Sequence, residues 1–117
     1  MIFRGISRKF SLFNEDQYNT IGEFWDELSS VLGLENLIGL GYKWQDGQIY
    51  YAIGLKNGDI DNYDFETILP DEGWTVVRGR TDDLKELYDE IYKDGALTLE
   101  LETFYECGEC EIRYYRN

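Results

Sequence analysis

The chain has 117 residues, 43% of them hydrophobic and 16% aromatic, with a single proline, enough apolar material for one packed domain and too little chain for two. Its 24 Asp and Glu against 11 Lys and Arg give a net charge of −13, with no basic run longer than Arg8-Lys9, so the surface repels phosphate and excludes nucleic acid and anionic membranes as partners. The absence of histidine closes Ser-His-Asp, Cys-His and most zinc-hydrolase chemistry, and no apolar stretch approaches the roughly 20 residues of a membrane span.

The chain opens Met-Ile-Phe-Arg-Gly with no long apolar core behind a basic start, so no signal peptide is expected and the cytoplasm is the expected compartment. Residues 2–12 read as a strand. Over 14–33, Tyr18, Ile21, Phe24, Trp25, Leu28, Val31 and Leu32 recur at three- and four-residue spacings, the period of an amphipathic helix. Asn14 is placed to cap it, with Glu15 and Asp16 in the first turn, Gln17 at capping-box spacing and Gly33 at the end. Gly22 is a weak spot inside it. Strands at 37–44 and 48–55 flank Asp46-Gly47, a hairpin signal. A polar connector over 56–64 carries Asn57-Gly58-Asp59 and Asp61-Asn62, and 63–69 is a short extended segment ending before Pro70. Residues 74–80 form the next strand. A second helix over 82–94 buries Leu84, Leu87, Tyr88, Ile91 and Tyr92, is capped by Thr81 and ended by Gly95, and spaces Lys85, Asp89 and Lys93 four apart for pairing. The last strands, 98–106 and 110–115, flank Gly108-Glu109, where a first-position glycine suits a type II′ turn.

After each helix the same order returns: glycine, strand, glycine-containing turn, strand. The turn glycine follows the helix-terminating glycine by 14 residues in one half and 13 in the other, which points to a duplication with halves at about 1–56 and 63–117. The expected fold is α+β: two β-α-β-β units forming a curved antiparallel sheet, both helices packed on one side, and a central cavity near the pseudo-twofold axis.

The segments Arg4-Gly5-Ile6-Ser7, Ile21-Gly22-Glu23-Phe24-Trp25, Ile38-Gly39-Leu40-Gly41, Tyr50-Tyr51-Ala52-Ile53-Gly54, Leu69-Pro70-Asp71-Glu72-Gly73-Trp74 and Leu101-Glu102-Thr103-Phe104 together resemble, in order and spacing, the GyrI-like small-molecule-binding family. Its fold also forms the effector-binding domain of AraC-type and multidrug-responsive transcription regulators. This chain differs in lacking a further strand before Arg4 and a proline motif in the last strand, and 117 residues leave no room for a helix-turn-helix. A stand-alone binding domain is expected.

The resemblance implies an aromatic-lined cavity faced by the glutamate of the penultimate strand, which by position is Glu102. A carboxylate among ring faces suits a hydrophobic organic cation. Candidate walls are Phe24, Trp25, Trp74, Tyr50, Tyr51 and Phe104, with only one of Tyr50 and Tyr51 able to face the cavity; Phe24 and Tyr88 read as core. Read from the residues alone, strict alternation would bury Leu99 and Leu101 and turn Glu100 and Glu102 outward to solvent. No catalytic residue, cofactor or metal is implied. Cys107 and Cys110 lack a second pair of ligands and sit among Glu106, Glu109 and Glu111, so two reduced thiols are expected, with a cross-hairpin disulfide as the oxidised alternative. Asp59, Asp61, Asp64 and Glu66 lack the ligand order of a calcium loop and read as a solvated loop. Two further functions stay open: an acidic protein-interaction module of the gyrase-inhibitor kind, with a regulator or topoisomerase as partner, and a small-molecule hydrolase using Glu102 as base or nucleophile.

Overall fold

In the computed structural model of the chain, which describes residues 1–116, Asp46 and Gly47 both take positive φ, 53° and 72°. That conformation matches the right-handed twist of the strands it joins, so β2 (Leu37–Gln45) folds directly back on β3 (Gln48–Leu55). The second hairpin, β6 (Leu97–Phe104) and β7 (Glu109–Arg116), turns differently from the type II′ expectation. Gly108 donates its N–H to the Tyr105 carbonyl, and Tyr105 donates to Glu109. Gly108, at φ 90°, thus closes a three-residue loop from its last position, where a left-handed residue is needed.

The remaining strands are β1 (Ile2–Ser11), β4 (Phe65–Ile68) and β5 (Thr75–Arg80). The seven form one sheet in the order β4-β1-β3-β2-β6-β7-β5, with every neighbouring pair antiparallel. Each half contributes a three-stranded unit, β1-β3-β2 and β5-β7-β6. The two units meet along β2 and β6, where Gly39 pairs with Glu102, Leu40 with Leu101 and Gly41 with Glu100.

Both helices, α1 (Gln17–Leu32) and α2 (Leu84–Tyr92), pack on one face of this curved sheet. Phe24 and Trp25 of α1 cluster with Tyr51, Ile53 and Phe104, and Tyr88 and Ile91 of α2 with Leu97 and Ile112. The opposite face is covered too: Phe3, Leu40, Ala52, Leu69 and Leu101 form a second core against which Trp74 packs. The central strands therefore have two buried faces. Leu99 and Leu101 turn to the Trp74 side while Glu100 and Glu102 turn under the helices, opposite to the outward orientation that simple alternation suggests.

The helix starts depart from expectation. Asn14 does not cap α1; it lies in a 3-10 turn (Phe13–Glu15) with φ 53°, Glu15 follows at 59°, and α1 begins after Asp16 without a side-chain cap bond. Thr81 opens another 3-10 turn (Thr81–Asp83) and donates its N–H to the Gly108 carbonyl at 2.8 Å, which ties the start of α2 to the last hairpin. The pair Lys85–Asp89 forms at 3.0 Å on an exposed side where it adds little stability. The acidic connector is pinned to β1 more than expected: Arg4 pairs with Asp59 at 3.0 Å and Glu66 at 2.5 Å, and Asp64 accepts the Ser7 N–H at 2.9 Å. Among the described residues, no helix is long and apolar enough to cross a membrane.

Gly22 sits mid-helix in α1 with nothing within 4 Å of where a Cβ would stand. Glycine there carries backbone entropy that alanine would not. Gly22→Ala is expected to stabilise the protein by about 0.5–1 kcal/mol, read as a higher midpoint of urea unfolding.

Candidate functional site

A cleft of about 510 Å³ opens between α1 and α2 on the helix-bearing face of the sheet. Glu100, Glu102 and Phe104 of β6 form its floor, Tyr18, Ile21 and Trp25 one wall, and Leu84, Tyr88 and Tyr92 the other. Tyr18 and Tyr88 meet across it with ring centroids 6.4 Å apart. Trp25 stands nearly perpendicular to Phe104, 4.8 Å between centroids.

The room for the two glutamates comes from the other half of the molecule. A Cβ at Gly41 would lie 2.6 Å from the Glu100 side chain, and one at Gly39 would lie 2.0 Å from the Tyr51 hydroxyl and 2.7 Å from the Trp25 ring. Gly39 and Gly41 precede the turn glycine Gly47 by 8 and 6 residues, as Glu100 and Glu102 precede Gly108. Equivalent positions of the duplication thus carry Gly-Leu-Gly in one half and Glu-Leu-Glu in the other, and the β2–β6 register sets each glutamate against a glycine.

Both carboxyl groups are 4% exposed and held by phenols. The Trp25 indole N–H donates to the Tyr51 oxygen at 2.8 Å, Tyr51 in turn donates its hydroxyl to Glu102 Oε1, and Tyr88 donates to Oε2 at 2.7 Å. Tyr92 donates to Glu100 Oε2 at 3.0 Å. Burial raises the pKa of Glu102, an effect held back by the hydroxyls of Tyr51 and Tyr88. Burial pushes Glu100 well above the ordinary carboxyl range, and the neighbouring Glu102 charge pushes it further against the hydroxyls of Tyr92 and Tyr88. Burial likewise raises Tyr51 and Tyr88 well above the usual phenol value, and lifts Tyr18 to about 12 with help from Asp89, Glu15 and Glu100. These phenols remain donors.

The charged side chains that line the cleft are Asp26, Asp82, Glu100, Glu102 and Glu106, all acidic. Gln17 adds a buried amide oxygen with no hydrogen-bond donor among the described residues. Buried acceptors without cationic partners make the cleft a place where positive charge is favoured and negative charge repelled.

Of the residues expected from the sequence, Glu102, Trp25 and Phe104 line this cleft. Tyr51 faces the same side but is fully covered and acts from beneath, through its bond to Glu102. Tyr50 and Trp74 are not brought to the cleft, which corrects the expectation for both. Tyr50 is one residue out of phase with Tyr51 and faces the other side, near Tyr42 at 5.6 Å and the Lys43 ammonium at 5.1 Å. Trp74 lies across the sheet, against Tyr115 at 4.5 Å, with its indole N–H donating to the Pro70 carbonyl at 2.8 Å. Sequence reasoning missed the inward-facing Glu100 and the donor roles of Tyr88 and Tyr92, which it read only as buried residues of the second helix. The available signals were the two-residue spacing of the glutamates and the four-residue spacing of the tyrosines, each placing a pair on one face. Cys107 is exposed and Cys110 buried, both as free thiols, and burial raises the Cys110 thiol.

No family profile matches the sequence, and no curated protein does. Among solved structures the chain is similar to SAV2435 bound to tetraphenylphosphonium, with a TM-score of 0.67 and 16% identity, over 97% of this chain and 87% of that one. At that identity the likeness is one of fold.

Proposed function

We propose that the chain is a stand-alone small-molecule-binding domain, akin to the GyrI-like effector-binding domains of transcription regulators, whose cleft takes lipophilic organic cations. One observation carries the reading: Glu102 is a buried carboxyl group among aromatic side chains, in a cleft whose charged lining is acidic throughout. A cation with its charge spread over a large apolar frame gains from both. Its frame is taken from water against Trp25, Phe104 and Tyr88, and its charge offsets the burial of the carboxylate. A compact ammonium is more strongly hydrated and would lose that hydration on entering the cleft. The volume of about 510 Å³ lies within the range of drug-sized ligand sites. The ligand named with SAV2435, tetraphenylphosphonium, is a cation of this class, and a shared fold supports the reading. A protein-interaction role draws on the acidic surface alone.

Trp25 supplies a direct test. A Trp44→Phe/Trp74→Phe variant keeps Trp25 as its only indole, and tetraphenylphosphonium is expected to quench its fluorescence saturably. Quenching that stays linear in concentration, as simple collision gives, would exclude the cleft as the site.

A further inference from the structure

We propose that the cleft exchanges a proton for its cationic ligand, and that Glu100 is the group that releases it. The inference rests on the cation-binding reading above and adds the charge state of the empty site. Glu100 and Glu102 are two residues apart on β6, point to the same face and are each 4% exposed. Two adjacent carboxylates in such surroundings repel each other and lack solvent, so holding one proton between them is favoured.

Among the described residues, the groups around them supply no compensating charge. From α1 come the Tyr18 hydroxyl, the Trp25 indole and Asp26; from the turn before α2, Asp82; from α2, Tyr88 and Tyr92; from the rim, Glu106. Tyr51 of β3 bonds Glu102 from below, and Cys110 of β7 is a neighbouring thiol whose pKa the Glu102 charge raises. The β2 residues opposite are glycines. Lys85, on the outer side of α2, is taken by Asp89 at 3.0 Å and Glu15 at 3.5 Å. Arg80 lies beside Gly108 at the rim.

The hydrogen bonds divide the pair. Glu102 accepts a phenolic proton at each oxygen, from Tyr51 and Tyr88, an arrangement suited to the anion. Glu100 accepts from Tyr92 and has the Glu102 charge beside it, so it carries the proton. When a monocation enters, its charge takes the proton's place: the Glu100 O–H bond breaks, the electron pair stays on the carboxylate, and the proton leaves to water. No bond of the ligand changes. The total charge of the site is the same before and after.

Calorimetric titration of the wild-type protein with tetraphenylphosphonium, in buffers of different protonation enthalpy at one pH, reads the protons released. The expected result is close to one per cation bound where the empty site holds its proton, with Kd falling by up to tenfold per pH unit as pH rises through that range. A protonated-carboxyl infrared band of the wild type is expected to disappear on adding the cation, which needs no variant. Glu100→Gln is expected to bring the release near zero and to make Kd independent of pH. Binding without proton release overturns this inference and leaves the cation-binding reading standing, as does full release from Glu100→Gln. Absence of binding in every buffer overturns both.

Discussion

Glu102→Gln is expected to bind tetraphenylphosphonium roughly ten- to a hundredfold more weakly than the wild type while keeping its fold. The amide matches the carboxylate in size, so the aromatic walls stay in place, and its oxygen still accepts from one of the two tyrosines that bond Glu102. What goes is the negative charge. Opposite unit charges about 6–10 Å apart attract by roughly 1.5–3 kcal/mol at an effective dielectric of about 20, and the apolar contacts that supply the rest are untouched. One tyrosine hydroxyl must also redirect its proton, because the amide N–H₂ cannot accept it. Circular dichroism confirms folding and a fluorescence titration reads the affinity; an unchanged Kd in a folded variant would remove Glu102 as the counter-charge.

Gly39→Ala is expected to destabilise the protein by about 1–3 kcal/mol, or more, and to weaken ligand binding with it. The added methyl would stand 2.0 Å from the Tyr51 hydroxyl, 2.6 Å from the ring carbon bearing it and 2.7 Å from Trp25. Neither obstacle is the free end of a flexible chain. Tyr51 is fully buried and Trp25 is 5% exposed, and they bond each other and Glu102 in series. Relief requires moving the phenol that holds the carboxylate, so stability and binding fall together. Gly41→Ala is expected to lower stability as well: its methyl would stand 2.6 Å from Glu100 Cγ and Oε1, on a side chain that is 4% exposed and bonded to Tyr92. Chemical denaturation of the two variants reads the losses, and equal stability for Gly39→Ala and the wild type would contradict the packing described.

The repeated β-α-β-β plan was legible because each of its signals is local. Asp46-Gly47 specifies its hairpin through backbone conformation alone, and β3 begins and ends where its sequence pattern does. The helix caps were not: Asn14 and Thr81 lie in 3-10 turns, and Thr81 is tied to the Gly108 carbonyl of the last hairpin, a contact that no local sequence signal announces. The orientation of β6 is the instructive case. Alternation correctly puts Glu100 and Glu102 on one face and Leu99 and Leu101 on the other, but which face lies under the helices depends on whether something covers the back of the sheet. Leu69 and Trp74 do so, from a segment whose path is set by tertiary packing, and for the same reason Trp74 is a back-wall residue and not a cleft residue. Gly39 and Gly41 likewise acquire meaning only once β2 is registered against β6. Before that they are two glycines in a strand; afterwards they are the space in which a buried pair of carboxyl groups fits.

The net charge of −13 and the buried Glu102 make different contributions to binding. The surface charge acts at long range and is screened by salt, whereas the carboxylate in the cleft acts at contact. The most direct measurement compares tetraphenylphosphonium with tetraphenylborate, an anion of nearly the same shape, in high salt where the surface field is suppressed. The cation is expected to bind and the anion not to bind; equal affinity for the two would show that the cleft recognises shape alone and would contradict the role assigned to its carboxylates.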